Sequence, residues 1–404
     1  MARKLQLALV SGPAYDQLYS SLPRFTEQTG IQVEVAFSGD HPTLNHHLAG
    51  LNRVPYDLVS THTKYAPSQL DFLAPLDTVV RNEIIEDFMP LLLELSRVDG
   101  LLYGLPRNID VRLLHYRTDL ISSPPRTWDE VLTLASELNS PPGLFGFVFP
   151  GCESGLFGTF YELAEMAGAR LFPHDLVPDI QNDAGRWALD LLRKFYAGGI
   201  VPHGFTGWHY EEVHECFRNG HAAMVCDWPG YYSLYRDPAL SAVHDRFALA
   251  PYPIGPSGRS LSYGGGHTFA LTKLGVDNPD VLDLLLFLTD FEQQMVEARQ
   301  GCVPVRRTVM KAMQGESDEA NHDRLAMLDN VISEHILIPP KFARYPEVEL
   351  VLWRTVQKAI IGRLSVYDAL DHIRKHIQEI VSSPDGAAVK SSGQVRTSVH
   401  QNIP

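Results

Sequence analysis

The first forty residues alternate between two hydrophobic periods in an order that few folds accommodate. LQLALV (Leu5 to Val10) reads as a strand that stops at Ser11-Gly12-Pro13. An amphipathic stretch from about Tyr15 to Thr29 then puts Leu18, Leu22 and Phe25 on one helical face, and IQVEVAF (Ile31 to Phe37) returns to period two. A strand, a crossover helix and a strand imply parallel pairing, because a tight hairpin can join only antiparallel neighbours. Another short strand, Tyr56 to Ser60, follows a helix rich in His and Leu, so the first hundred residues predict a parallel sheet with helical crossovers. Ligands of such sheets bind in the loops beyond the strands' C-terminal ends. Those loops are Ser11 to Tyr15, Ser38 to Asp40 and Thr61 to His62, which makes Tyr15, Asp40 and His62 candidates for contact with a solute. The structural alternatives are helix capping by Asp40 and a backbone hydrogen bond for His62.

A chain of 404 residues with 45% hydrophobic residues is better served by two cores than by one. The predicted division is 1–112 with 268–318 in a first lobe and 113–267 with 319–382 in a second, leaving 383–404 as a disordered tail. The net charge of −14, with no Lys/Arg run, argues against nucleic acid or an anionic membrane surface as a partner. No segment reaches the roughly 18 apolar residues of a membrane span. The start, Met-Ala-Arg-Lys followed by a short apolar run, is too brief for an export signal, so the expectation is a cytoplasmic protein or a mature exported one. Cys152, Cys216, Cys226 and Cys302 have no metal or redox spacing. A Cys216–Cys226 disulfide is conceivable, burial as small apolar residues being the ordinary alternative.

Two segments carry the chemistry. LYGLPRNIDVRLLHYRTDL (Leu102 to Leu120) is too long for one modest sheet and is placed to cross between lobes. Period two puts Asn108 and Asp110 on one face of it and Arg107 on the other, with Arg112 read as a hinge ion pair. From Ala222 to Leu271, AAMVCDWPGYY, RFALAPYPIGPSGR and SYGGGHTFAL read as buried strand, polar excursion and buried strand. Trp228 on the strand exit offers a stacking face. Tyr263 with Gly264, Gly265 and Gly266 offers backbone that can approach a solute, or a hinge needing free torsions. Tyr231 and Tyr232 are weaker candidates, and Glu153 in the PGCESG turn resembles the loop carboxylates. Trp128 opens a helix behind Thr127, with Glu130 three residues on, and reads as packing.

The ordered set YGLPRNIDVRLLHYRTDL, PPRTWDEVLTLA, the Phe217–Met224 F-x-x-G-x-A-A-M pattern and GGGHTFAL resembles the bacterial ABC-importer solute-binding proteins of the family that includes maltose-binding protein. The likeness runs to about Val381. It implies an α/β, two-lobe periplasmic-binding-protein fold, each lobe a mostly parallel sheet flanked by helices and joined by hinge crossings. It implies capture of a carbohydrate-like small molecule, delivery to an ABC permease in the membrane, a periplasmic or extracytoplasmic location, and a monomer with no cofactor. Carbohydrate-binding members often carry Trp just after YG-x-P, where this chain has Arg107 and Asn108. That leaves open a charged solute such as a sugar acid, glycerophosphodiester, polyamine or thiamine.

Catalytic motifs are missing: there is no G-x-S-x-G, P-loop or placed G-x-G-x-x-G. Asp57, Asp110 and Glu153 could be posed as a glycosidase pair, and a lone glycoside hydrolase or lyase stays as the reading from another class. Seventeen His, among them His41, His46 and His47, invite a metal, but no H-x-x-x-H pair with a third ligand stands out. No residue is assigned to catalysis or to a metal.

Overall fold

The computed structural model describes residues 4–316 and 319–383. The opening β-α-β unit becomes the heart of the first sheet. Leu5–Val10 lies parallel to Val33–Gly39 on one side and to Leu58–His62 on the other. The sheet continues with His267–Leu271, antiparallel to Leu58–His62, and ends at Leu105–Pro106. Leu5, Leu7 and Leu9 pack with Leu18, Leu22 and Phe25, while Ala8 and Val10 pack with Leu44 and Leu48 on the opposite face. Alternation along the strand therefore feeds two apolar layers, as a sheet covered on both sides requires.

The second lobe has a different sheet. Leu113–Arg117 sits between Phe247–Ala250 and Met224–Asp227 and is antiparallel to both. Among the described residues, parallel contact in this lobe is confined to the isolated bridges Thr127–Ile254, Phe145–Ala222 and Val148–Val225, so the expectation of a mostly parallel sheet fails here. The reason is direction: Leu113–Arg117 leaves the hinge, whereas Met224–Asp227 runs back toward it and delivers Trp228. Its core joins helices Trp128–Leu138, Glu153–Ala167 and Asp183–Ala197 to the C-terminal helices Tyr345–Ile360 and Val366–Ser382. In the last of these, Ser365 caps the Asp368 N–H at 3.1 Å, and Val366, Ala369, Leu370, Ile373, Ile377 and Val381 form one buried stripe. Thr127 likewise accepts the Glu130 N–H at 3.2 Å, and Trp128 is buried core.

Three crossings join the lobes as a small sheet of their own: Asp110–Val111, Ser262–Gly265 and Ile336–Leu337. The long extended segment of the sequence is thus broken into short strands that serve four different sheets. The change of lobe also falls later than expected. Helix Glu319–Asn330 puts Leu325 against Met295, Val309 and Met313, and Leu328 with Val331 joins the first-lobe core, so the crossing comes at Ile336 rather than at 319. All four cysteines are free, and Cys216 and Cys226 are buried without bonding to each other. Of the predicted tail 383–404, Ser383 is described and donates to the Ile380 carbonyl at 2.9 Å, and the rest lies outside the described residues.

Candidate functional site

A cavity of about 140 Å³ lies between the lobes. By the measure in which one water needs about 10–15 Å³, this is room for on the order of ten water-sized atoms. Ala14, on the first-lobe loop after Leu5–Val10, packs with Val148, Val213 and Phe217 of the second lobe, so the lobes are in contact around the cavity. A buried ion pair ties them further. Lys64 Nζ lies 2.6 Å from Glu349 Oε1, the Tyr65 hydroxyl also donates to Glu349, and Lys64 donates to the Tyr263 hydroxyl at 3.2 Å.

Of the residues singled out from sequence, Tyr15, Asp40, His62, Asn108, Asp110, Trp228, Tyr263 and Gly265 line this cavity. Asp40 also caps helix His41–Ala49, accepting the Thr43 N–H at 2.9 Å. His62 Nδ1 accepts the Lys64 N–H at 3.2 Å. Asn108 ties the hinge together: its Oδ1 accepts the His267 N–H at 2.9 Å and its Nδ2 donates to Asp110 Oδ2 at 2.7 Å. Burial pushes the Asp110 carboxyl up to about 7, against the pull of Arg107. Trp228 stands edge-on to Tyr210 with centroids 5.6 Å apart, and the Arg112 guanidinium lies 5.2 Å from its ring centre. Arg112 is itself paired with Glu162, at 3.1 Å from Nε to Oε1.

Four candidates are placed elsewhere. Arg107 is buried behind the wall, donating to Glu297 at 2.7 and 2.8 Å and to the Tyr15 carbonyl at 2.9 Å, so its charge is already matched and it positions Tyr15. Arg107 leaves the wall on which Asn108 and Asp110 stay, the separation expected from the sequence, although residues 107–109 lie between two strands and not within one. A Cβ on Gly264 would press to 2.6 Å on Ile336, and one on Gly266 to 2.5 Å on the Asn108 carbonyl oxygen. These glycines serve strand packing at the hinge. Glu153 starts its helix half-buried and stays off the cavity wall, where Ser154 takes its place.

The cavity also recruits residues not singled out as ligand contacts: His41, Lys64, His209, Tyr210, Glu211 and His267 among them, with Tyr231 promoted from the weaker candidates. His267 immediately follows the glycine run, and its partner His62 sits directly across the antiparallel register, a pairing over some two hundred residues that no local pattern encodes. His209 and Tyr210 open helix Tyr210–Arg218, with the His209 N–H held by Glu212 at 2.8 Å. That S/T-less start hides the N-cap from a motif search. Tyr231 donates to Glu211 at 2.7 Å. Behind it, His214 and Tyr235 both bond the Asp227 carboxylate, whose other oxygen holds the Trp228 N–H at 2.8 Å.

Ser154 Oγ and His209 Nε2 lie 3.2 Å apart on the cavity wall, and among the described residues no group of His, Cys, Asp and Glu is disposed to hold a metal. The family model of bacterial extracellular solute-binding proteins matches residues 22–322. The chain belongs to that family. It is a binding component rather than an enzyme, and its architecture is the two-lobe periplasmic-binding-protein fold. Maltose-bound MalE3 of T. maritima superposes with a TM-score of 0.84 at 26% identity, covering 93% of this chain and 100% of that one. A Deinococcus radiodurans protein named "Probable ABC transporter-binding protein" is 25% identical over 228 residues, 54% of each chain. A mannitol-binding protein of Pseudomonas aeruginosa is 28% identical over 210 residues, 48% of this chain and 46% of that one. The chain thus spans about half the length of these two relatives. No helix among the described residues is long and apolar enough to cross a membrane.

Proposed function

We propose that this protein captures one neutral sugar or polyol of monosaccharide size between its lobes and hands it to an ABC permease, working in the periplasm or at the outer cell face. The observation that carries this reading is the cavity itself. It is small, it presents Trp228, Tyr210 and Tyr231 beside carboxylates and imidazoles, and its one ammonium, Lys64, is already committed to Glu349. Aromatic faces suit the C–H face of a sugar, and carboxylate or imidazole groups suit hydroxyls. With Lys64 and Arg107 both spent internally, nothing on the wall favours an anion. The relatives that bind mannitol and maltose support the same solute class, and the cavity's size favours the smaller of the two.

One observation favours a second reading. Among the described residues Asp110 has no Lys or Arg within ion-pair distance, its nearest basic atom being His267 Nδ1 at 3.9 Å. A solute amine would pair with it. A thermal-shift panel of D-mannitol, ribitol, D-tagatose, maltose, D-glucarate and spermidine separates the readings, because a solute that binds only the native state raises the melting temperature. The proposal expects a shift with a neutral monosaccharide or polyol; a shift confined to spermidine would replace it with the amine reading, and one confined to glucarate would overturn both.

A further inference from the structure

His41, His62 and His267 form a cluster that neither the motif reading nor the family match assigns. Their ring centroids are 4.9 to 5.1 Å apart in all three pairs, and all three residues line the cavity. His62 and His267 face each other across two antiparallel strands, and His41 reaches them from the first turn of its helix. Gly265 makes room: a Cβ there would come within 2.5 Å of the His62 ring.

The hydrogen bonds define what the rings can offer. His62 Nδ1 accepts a backbone N–H, so its proton sits on Nε2 and that nitrogen is a donor. His41 Nδ1 and His267 Nε2 are 3.2 Å apart, and one must donate to the other. Each ring then has one nitrogen left, His41 Nε2 and His267 Nδ1, and among the described residues neither has a hydrogen-bond partner although both are buried. If His267 donates, its Nδ1 is an acceptor and His41 Nε2 a donor; if His41 donates, the roles reverse. Whichever tautomers are present, the pair offers one donor and one acceptor. A hydroxyl is both donor and acceptor and matches either arrangement, whereas an ammonium supplies donors alone.

We propose that His41 and His267 act as one coupled unit, with His62 beside them, that reads hydroxyl groups and makes the site selective for a neutral polyhydroxylated solute. This deepens, and rests on, the function proposed above. The unit works with uncharged rings, and its surroundings keep them so. Burial lowers all three well below the ordinary imidazole range, His267 to about 3. Lys64, Arg107 and His209 oppose a further positive charge, while Asp110 and Asp40 lie on the cavity wall. Tyr15 and Tyr65 flank the rings without charge.

The test is calorimetric binding of D-mannitol, ribitol and D-tagatose to the full chain and to His41→Phe, His267→Phe and the double variant, with His→Gln versions that restore a donor or acceptor. The expected result is a loss of at least about tenfold for either Phe variant, equivalent to about 1.4 kcal/mol. The double variant should be no more than about threefold worse than the poorer single one, since residues acting as a unit are not additive. Gln should recover part of the loss, and melting curves check that each variant folds. Additive losses, or unchanged affinity in both Phe variants, would overturn the coupled unit while leaving the function standing. Failure of the unaltered chain to bind any of the three would overturn the function and this role together. Imidazole nitrogen spectra of the solute-free chain supply an independent check: neutral rings at pH 5.5 support the unit, and a titration near pH 6.5 in either ring contradicts it.

Discussion

The two walls of the cavity are made of different chemistry and held by different means. The first-lobe wall is imidazole, carboxamide and carboxyl, fixed by strand register and by the hinge clasp of Asn108 on His267. The second-lobe wall is richest in aromatic rings, with Tyr210, Trp228 and Tyr231 set by a helix start and a strand exit, His209 and Glu211 beside them on the wall, and Asp227 and His214 bracing from behind. The contrast teaches how a two-lobe binder divides labour. On the proposed reading, hydroxyls are met by a strand and a helix start of the first lobe, and the stacking face sits on the opposing lobe, where it meets the solute when the lobes close.

The contrast can be broken most severely at the tie between the walls. Glu349→Gln leaves Lys64 buried without a counter-charge, and the expected cost is about 3–5 kcal/mol in urea unfolding. A loss within the noise of such curves would mean that the pair does not hold the lobes. Next is the stacking wall: Trp228→Ala should weaken binding of the neutral solute about 30-fold, near 2 kcal/mol, with unchanged circular dichroism. Retention within about threefold would remove the aromatic wall from the account.

Protons sharpen the comparison because the walls carry groups of opposite sign. Burial holds His209 at about 4 and lifts Asp110 to about 7. The unfolded chain binds the extra proton on His209 between pH 6.5 and 4, so that group costs stability as pH falls through this window. The folded chain binds the extra proton on Asp110 between pH 7 and 3.8, so that group adds stability as pH falls. His209→Phe should therefore lose less stability than the parent on going from pH 6.5 to 4.5, by about 1.4 kcal/mol per pH unit, and Asp110→Asn should lose more. The same sign in both variants would contradict the assignment. The smallest effect expected is Tyr231→Phe, which removes the bond to Glu211 and should weaken solute binding by about 1 kcal/mol, roughly fivefold.

Much of this architecture is legible locally. The β-α-β opening, the Thr127 cap and the emergence of Trp228 from a strand are all written in short-range pattern, and so is the separation of Arg107 from Asn108 and Asp110. What escapes is anything decided by distant partners. Arg107 reads as a free charged fork until Glu297 is found beside it, and Lys64 draws no notice in the sequence because its partner Glu349 lies 285 residues away. The glycine run is visible, yet only the third dimension shows that Gly264 and Gly266 admit neighbouring strands while Gly265 admits an imidazole. Helix Glu319–Asn330 carries an apolar stripe that either lobe could have buried, which is why its placement is not written in its own residues.

The central claim is that a single small neutral solute fills the space between an imidazole wall and an aromatic one. Native mass spectrometry of the chain incubated with an equimolar mixture of D-mannitol, ribitol, D-tagatose, maltose, D-glucarate and spermidine tests it most directly. The account predicts one bound molecule per chain, with the unaltered mass of a monosaccharide or polyol, and its loss from Trp228→Ala. Retention of maltose, glucarate or spermidine in its place would contradict it.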